Sequence, residues 1–92
     1  MREARRRNAL FDQNCLHELE HRVRTDRRRA LRILKLIEAV LRDPFGGPGK
    51  PEPLRGQLAG SWSRRIDQEH RLVYRVDTAT VRFIAARYHY GS

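Results

Sequence analysis

The chain has 92 residues, 39% of them hydrophobic, and its 20 Lys and Arg against 11 Asp and Glu leave a net charge of +9. That composition predicts one globular domain with a modest core and excludes an intrinsically disordered polymer. No apolar run approaches the roughly 20 residues of a membrane helix, and a single cysteine, Cys15, excludes an internal disulfide framework.

Arginine dominates the basic residues, and its planar fork matches phosphate and carboxylate groups. The excess therefore points to a polyanionic partner, a nucleic acid or an acidic protein. The opening MREARRR is basic but is not followed by the apolar segment of a signal peptide. With the lone cysteine, this fits a reducing, cytoplasmic setting.

In chain order, residues 1–7 are expected to form a basic arm or the start of an edge strand, and Asn8 to Phe11 a short strand. Asp12 is placed to cap a first helix, in which Cys15, Leu16, Leu19 and Val23 recur at helical spacing. Asp26 is a second capping candidate. The second helix runs from Arg27 to Arg42, with Ala30, Ile33, Leu34, Ile37, Val40 and Leu41 on one stripe and Arg28, Arg32, Lys35 and Arg42 opposite. It should stop at Asp43-Pro44, because proline disfavours a helical residue before it. Phe45 to Pro53 then reads as a turn-rich loop.

Three strands are predicted beyond it, around Trp62–Ile66, Arg71–Asp77 and Thr80–Tyr88. Leu72, Tyr74 and Val76 alternate with Arg71, Val73 and Arg75, and Asp77-Thr78-Ala79 is short enough for a hairpin turn. In the last strand Val81, Phe83 and Ala85 share one face, and Arg82, Ile84 and Ala86 the other. Two helices followed by a strand run imply an α+β fold with the helical hairpin covering one sheet face.

Two constellations carry possible chemistry. His17-Glu18-Leu19-Glu20-His21 matches the H-E-x-x-H pattern of helical zinc sites. On a helical wheel both histidines fall about 100–140° from Leu16, away from Leu19, Val23 and Cys15. They thus point away from the predicted core, with few residues left to build a third ligand and a cleft. The pattern reads as chance on a polar face.

The second constellation is Glu52, Arg64, Arg65, His70, Arg71, His89 and Tyr90. Cleavage of RNA by its own 2′-hydroxyl needs a base, cations to offset charge on phosphorus, and an acid for the leaving 5′-oxygen. Carboxylate and imidazole suit the proton transfers, arginine the charge. Spacing alone leaves each of these residues an ordinary reading as a solvated loop acid, surface charge or strand end.

KPEPL, LAGSWSRRI, EHRLVYRV and the terminal ARYHY together resemble the YoeB (Txe) toxins of bacterial type II toxin–antitoxin modules, in the RelE/ParE superfamily. The resemblance is close from Asp43 to Tyr90 and lies in pattern more than letters over residues 1–42, where the aromatics common in the family's first helix are missing. It implies a microbial RNase-like, RelE-type fold: a twisted antiparallel sheet packed against two N-terminal helices, with residues 1–92 a single toxin domain. It also implies an endoribonuclease that cuts mRNA in the ribosomal A site without metal or cofactor.

Carried over by motif, Glu52 is the general base, and Arg65 and Arg71 bind and neutralise the scissile phosphate. His89 is the general acid or the acid–base partner of Glu52, and Tyr90 orients the substrate. Lys50, Arg55 and Arg64 are expected contacts to RNA or the ribosome. Trp62 is expected to pack, and His70 to serve structure or general RNA contact. The implied partners are ribosome and mRNA, an acidic antitoxin of the YefM/Axe kind, and a second copy in a homodimer, with no membrane. A different reading is a non-catalytic basic module that binds rRNA, a topoisomerase or only its antitoxin. Gly91-Ser92, beyond the family's usual final tyrosine, reads as a natural tail or a cloning remnant.

Overall fold

The computed structural model describes residues 6–88. The order is β1 (Asn8–Phe11), α1 (Gln13–Thr25), α2 (Arg27–Arg42), β2 (Glu52–Pro53), a 3₁₀ turn at Gly56–Leu58, β3 (Ser61–Arg65), β4 (Arg71–Val76) and β5 (Thr80–Tyr88). The arm expected at the amino terminus falls mostly on residues 1–5, and the tail on Gly91-Ser92; both lie outside the described residues.

One residue, Asp26, separates the two helices. Its backbone N–H donates to the Arg22 carbonyl and closes α1, while its carboxylate accepts from the Arg29 N–H at 3.3 Å and opens α2. Such a cap satisfies a helix-terminal donor that has no intrahelical partner. Asp43 is extended (φ −154°, ψ 98°), so α2 stops where Pro44 requires. Asp12 occupies the N-cap position of α1, but its side chain does not cap. The Arg82 guanidinium takes the carboxylate instead, through bonds of 2.7 and 3.1 Å, and holds it below the usual carboxylate range.

The sheet order is β1-β5-β4-β3-β2. β2, β3, β4 and β5 pair antiparallel, but β1 runs parallel to β5, with Asn8 opposite Thr80 and Phe11 opposite Phe83. The sheet is therefore mixed, not the purely antiparallel one expected. The β4–β5 hairpin occupies the centre, so β1 joins at the open side of β5, and the helical hairpin then crosses one face. Glu52-Pro53, expected as loop, adds a two-residue strand at the other edge.

Between that face and the helices lie Cys15, Ile33, Leu36, Ile37, Val40, Ile66, Leu72, Tyr74, Val81, Phe83 and Ala86. The buried strip of α1 is Cys15 and Arg22, with Leu19 partly covered, whereas Leu16 and Val23 stay about half exposed. In α2 the buried leucine is Leu36, and Leu34 is exposed. Each stripe is turned by part of a helical step from its expected centre, because the sheet meets one side of it.

Two register shifts interrupt β4–β5. Val73 opposes Ala85 and Tyr74 opposes Phe83, leaving Ile84 as an extra residue, and another is inserted before Tyr88 opposes Arg71. Such bulges bend a strand and re-aim its side chains. Ala86 consequently faces the core, not Ala85 as strict alternation predicted. The Ala86 N–H donates to Glu18 Oε1 at 2.8 Å, so the acid of the H-E-x-x-H pattern is a backbone anchor. Glu18→Ala is expected to destabilise the fold by about 1–3 kcal/mol by orphaning that N–H, and Glu18→Gln, which keeps a carbonyl oxygen, to cost less. Urea denaturation midpoints measure both; identical midpoints for Glu18→Ala and wild type would refute the anchor.

Candidate functional site

The core face of the sheet carries Trp62 and Arg64 of β3 opposite Tyr74 and Leu72 of β4, so strand alternation sends Ser61, Ser63, Arg65, Arg71, Val73 and Arg75 to the other face. Glu52 joins that second face through its rung with Ser63, and Tyr88 through its rung with Arg71. Register alone thus gathers an acid, two arginines, a serine and a tyrosine at one corner.

Within this corner Arg71 is deep and Glu52 accessible, with side-chain exposures of 12% and 43%. Arg71 Nη1 donates to Ser63 Oγ at 3.1 Å and lies 3.6 Å from Glu52 Oε2. Ser63 thereby fixes the guanidinium, while the longer distance to Glu52 leaves a carboxylate that is paired but not locked. Arg65 is exposed directly across from Arg71, and its backbone N–H donates to the Gly49 carbonyl at 2.6 Å. Lys50, next in the loop, holds a positive φ of 52° and is exposed, as is Arg55. Two cations around one acid make an anion-attracting corner that keeps a proton acceptor. His89 and Tyr90 lie outside the described residues; they follow Tyr88 in the sequence.

Arg64 is corrected. Expected to contact RNA, it is fully buried, donating to Tyr74 Oη (3.1 Å) and to the carbonyls of Pro48 (3.1 Å) and Asp43 (2.5 Å). Its even position in β3 turns it to the core, out of reach of a ligand. Ser63 and Tyr88 also lie at this corner: cross-strand register brings them there, and the sequence signal was the odd-numbered face of WSRR and the first tyrosine of RYHY.

A second polar cluster sits beneath the turn joining β3 to β4. Asp67 Oδ1 accepts from the Glu69 and His70 N–H groups at 2.7 Å, and Arg29 Nε lies 3.2 Å from Oδ2. Burial works to raise the Asp67 carboxyl, but those backbone donors and the His70 ring outweigh it and hold it below its ordinary value. Arg22, itself buried, brings Nη2 to 2.9 Å from His70 Nδ1, the ring nitrogen that also lies 3.3 Å from Asp67. His70 thus serves the turn that carries Arg65 and Arg71.

Other chemistry finds less support. His17 and His21 are exposed on α1, and among the described residues no group of three His, Cys, Asp or Glu is placed to hold a metal ion. Burial first, then Glu18 and Asp12, pushes the Cys15 thiol up to about 12, far from a nucleophilic thiolate. Trp62 packs against Phe45 at 5.0 Å between centroids. Among the described residues no helix is long and apolar enough to cross a membrane.

Residues 11–90 match the family model described as the YoeB-like toxin of bacterial type II toxin-antitoxin system. Toxin YoeB of Mycobacterium bovis is 51% identical over 84 residues, covering 91% of this chain and 99% of that protein. The structure superposes on a YoeB/ParE toxin from Agrobacterium tumefaciens with a TM-score of 0.85 and 44% identity, covering 90% and 99% of the two chains. A YoeB from Staphylococcus aureus matches as a dimer, with a TM-score of 0.85, 35% identity and coverage of 95% and 100%. In a heterotetrameric complex with YefM the S. aureus toxin matches with a TM-score of 0.81, 35% identity and coverage of 92% and 99%.

Proposed function

This chain belongs to the YoeB-like toxins of bacterial type II toxin–antitoxin systems, and we propose that residues 1–92 form a single toxin domain acting as a ribosome-dependent mRNA endoribonuclease. The observation that carries this reading is the Glu52–Arg71–Ser63 contact with Arg65 across the neighbouring rung. Glu52 takes the proton from a 2′-hydroxyl, whose oxygen then attacks the adjacent phosphorus. Arg71, held by Ser63, and the more exposed Arg65 offset the charge that grows on the phosphoryl oxygens. As phosphate arrives, it competes for Arg71 and frees the Glu52 carboxylate to act as base.

His89 protonates the departing 5′-oxygen or shares proton transfer with Glu52, and Tyr90 orients the nucleotide. These groups complete the cycle without a metal or other cofactor. Lys50 and Arg55 extend the basic rim toward mRNA or ribosomal RNA. The chain acts in the cytoplasm and is silenced by an acidic antitoxin of the YefM kind, which folds onto the basic surface; it also pairs with a second copy of itself, as the S. aureus relative does.

Mapping mRNA 5′ ends in a translating extract tests the assignment. The wild-type chain should create new ends inside codons of translated messages, dependent on ribosomes, and His89→Ala should deplete them strongly. An extract whose message ends do not change on addition of folded wild-type protein would remove the nuclease reading.

A further inference from the structure

We propose that Arg64 and Tyr74 form a buried clamp whose task is to position Glu52 for proton transfer, acting through the loop that carries it. This rests on the reading of Glu52 as the base. The acid sits on a strand of only two residues at the sheet edge, and the second of them, Pro53, has no N–H to give the ladder. So short an edge strand is a poor anchor by itself. On its C-terminal side the buried Leu54 donates its N–H to the Ser61 carbonyl at 2.9 Å; on its N-terminal side it hangs from the long connection from α2.

That connection is fastened at four carbonyls, two at its start and two near Lys50. Arg64 Nη2 donates to Asp43 O, Tyr74 Oη to Pro44 O at 2.7 Å, Arg64 Nη1 to Pro48 O, and the Arg65 N–H to Gly49 O. Arg64 Nε donates in turn to Tyr74 Oη, so a guanidinium fork and a phenol form one unit. Burial keeps the Tyr74 hydroxyl protonated, raising its pKa against the lowering effect of Arg64, and it remains a donor.

The loop closes over this unit without slack. A Cβ at Gly49, where φ is +87°, would lie 3.0 Å from Leu36 Cδ2 and 3.1 Å from Arg64 Cβ; one at Gly47, φ +103°, would lie 3.2 Å from Arg64 Nη1. Only glycine fits both the backbone and the space.

Energetics separate positioning from mere stability. Burying a guanidinium against neutral oxygens is costly, and apolar residues of similar volume commonly match or exceed such arrangements in stability. What they cannot supply is a planar fork that sets two carbonyls a fixed distance apart. Arginine here is therefore a geometric device, and geometry is what a base needs, since a displacement of about 1 Å costs up to about 10²-fold in rate.

The test compares Tyr74→Phe, which deletes one hydroxyl, with the volume-matched pair Arg64→Met/Tyr74→Phe, using programmed ribosomes at a temperature where circular dichroism shows each chain folded. Expected are a kcat lower by about 10–100-fold, a KM for ribosomes within about twofold of wild type, and no rescue by Arg64→Lys, which lacks the fork. Hydrogen exchange at the Arg65 N–H, a direct reporter of the bond to Gly49, should speed up in both variants. Unchanged kcat in the folded variants overturns the proposal. So does a raised KM at unchanged kcat, which would mean that the loop held by the clamp serves ribosome docking instead. Should the double variant not fold, Tyr74→Phe decides alone. Glu52→Gln runs alongside: if it cleaves at the wild-type rate, the base assignment fails, while Arg65 exchange still decides whether the clamp holds the loop.

Discussion

Glu52→Gln is expected to slow mRNA cleavage by about 10²–10⁴-fold, the usual worth of one positioned general base, with ribosome affinity nearly unchanged. The replacement is isosteric, and neither the rung to Ser63 nor the loop carbonyls depend on the carboxylate. What is lost is the oxygen that can hold a proton. The amide oxygen can still face Arg71 Nη1, now 3.6 Å from Glu52 Oε2, so phosphate binding by Arg71 and Arg65 persists. Single-turnover cleavage on programmed ribosomes, beside a binding titration of the same complex, separates the two effects. A full rate in the variant would move the base to another group, and loss of binding with retained rate would make Glu52 a docking residue.

The parts of the fold written in local chemistry were the parts legible from the chain. Asp26 and Asp43-Pro44 bracket α2, and the structure ends that helix at Arg27 and Arg42 as the sequence predicts. The limits of β5, Thr80 and Tyr88, also agree. Features decided at long range were not legible. Asp12 gives its carboxylate to Arg82, seventy positions away, instead of to its own helix. The insertion of Ile84 reverses which of Ala85 and Ala86 meets the core. Leu36 replaces Leu34 as a core residue because a wheel fixes the width of a stripe but not the side the sheet will cover.

The same distinction divides the site. The words KPEPL, WSRRI and EHRLVY brought Glu52, Arg65 and Arg71 forward, and the structure sets Glu52 beside Arg71 with Arg65 across the next rung. No word singled out Ser63, since its value lies in being the small residue under Arg71 on a neighbouring strand. Arg64 was misread for the converse reason. Adjacent arginines in a strand face opposite ways, and nothing local says which of two will find the Asp43 and Pro48 carbonyls waiting.

The largest effect is expected from the substrate. A message with 2′-deoxyribose at the cut position should survive intact in the ribosome-bound complex, while an all-ribose message yields a 2′,3′-cyclic phosphate upstream and a free 5′-hydroxyl downstream. In the proposed step, attack by O2′ forms the new oxygen–phosphorus bond as the bond to O5′ breaks; Glu52 would remove one proton and the acid would return one, so the step balances without water. Deleting that oxygen takes away the nucleophile itself, which no arrangement of Arg65 and Arg71 can replace. Binding should hardly respond, because the phosphates that the arginines contact are still present, and affinity should fall with rising salt equally for both messages as counterions are released. The 2′-hydroxyl is the group by which RNA differs from DNA at a site, so the comparison isolates it. Cutting of the deoxy message would mean that water attacks instead, and the corner formed by Glu52, Ser63, Arg65 and Arg71 would then need to hold and orient a water molecule in line with the leaving oxygen.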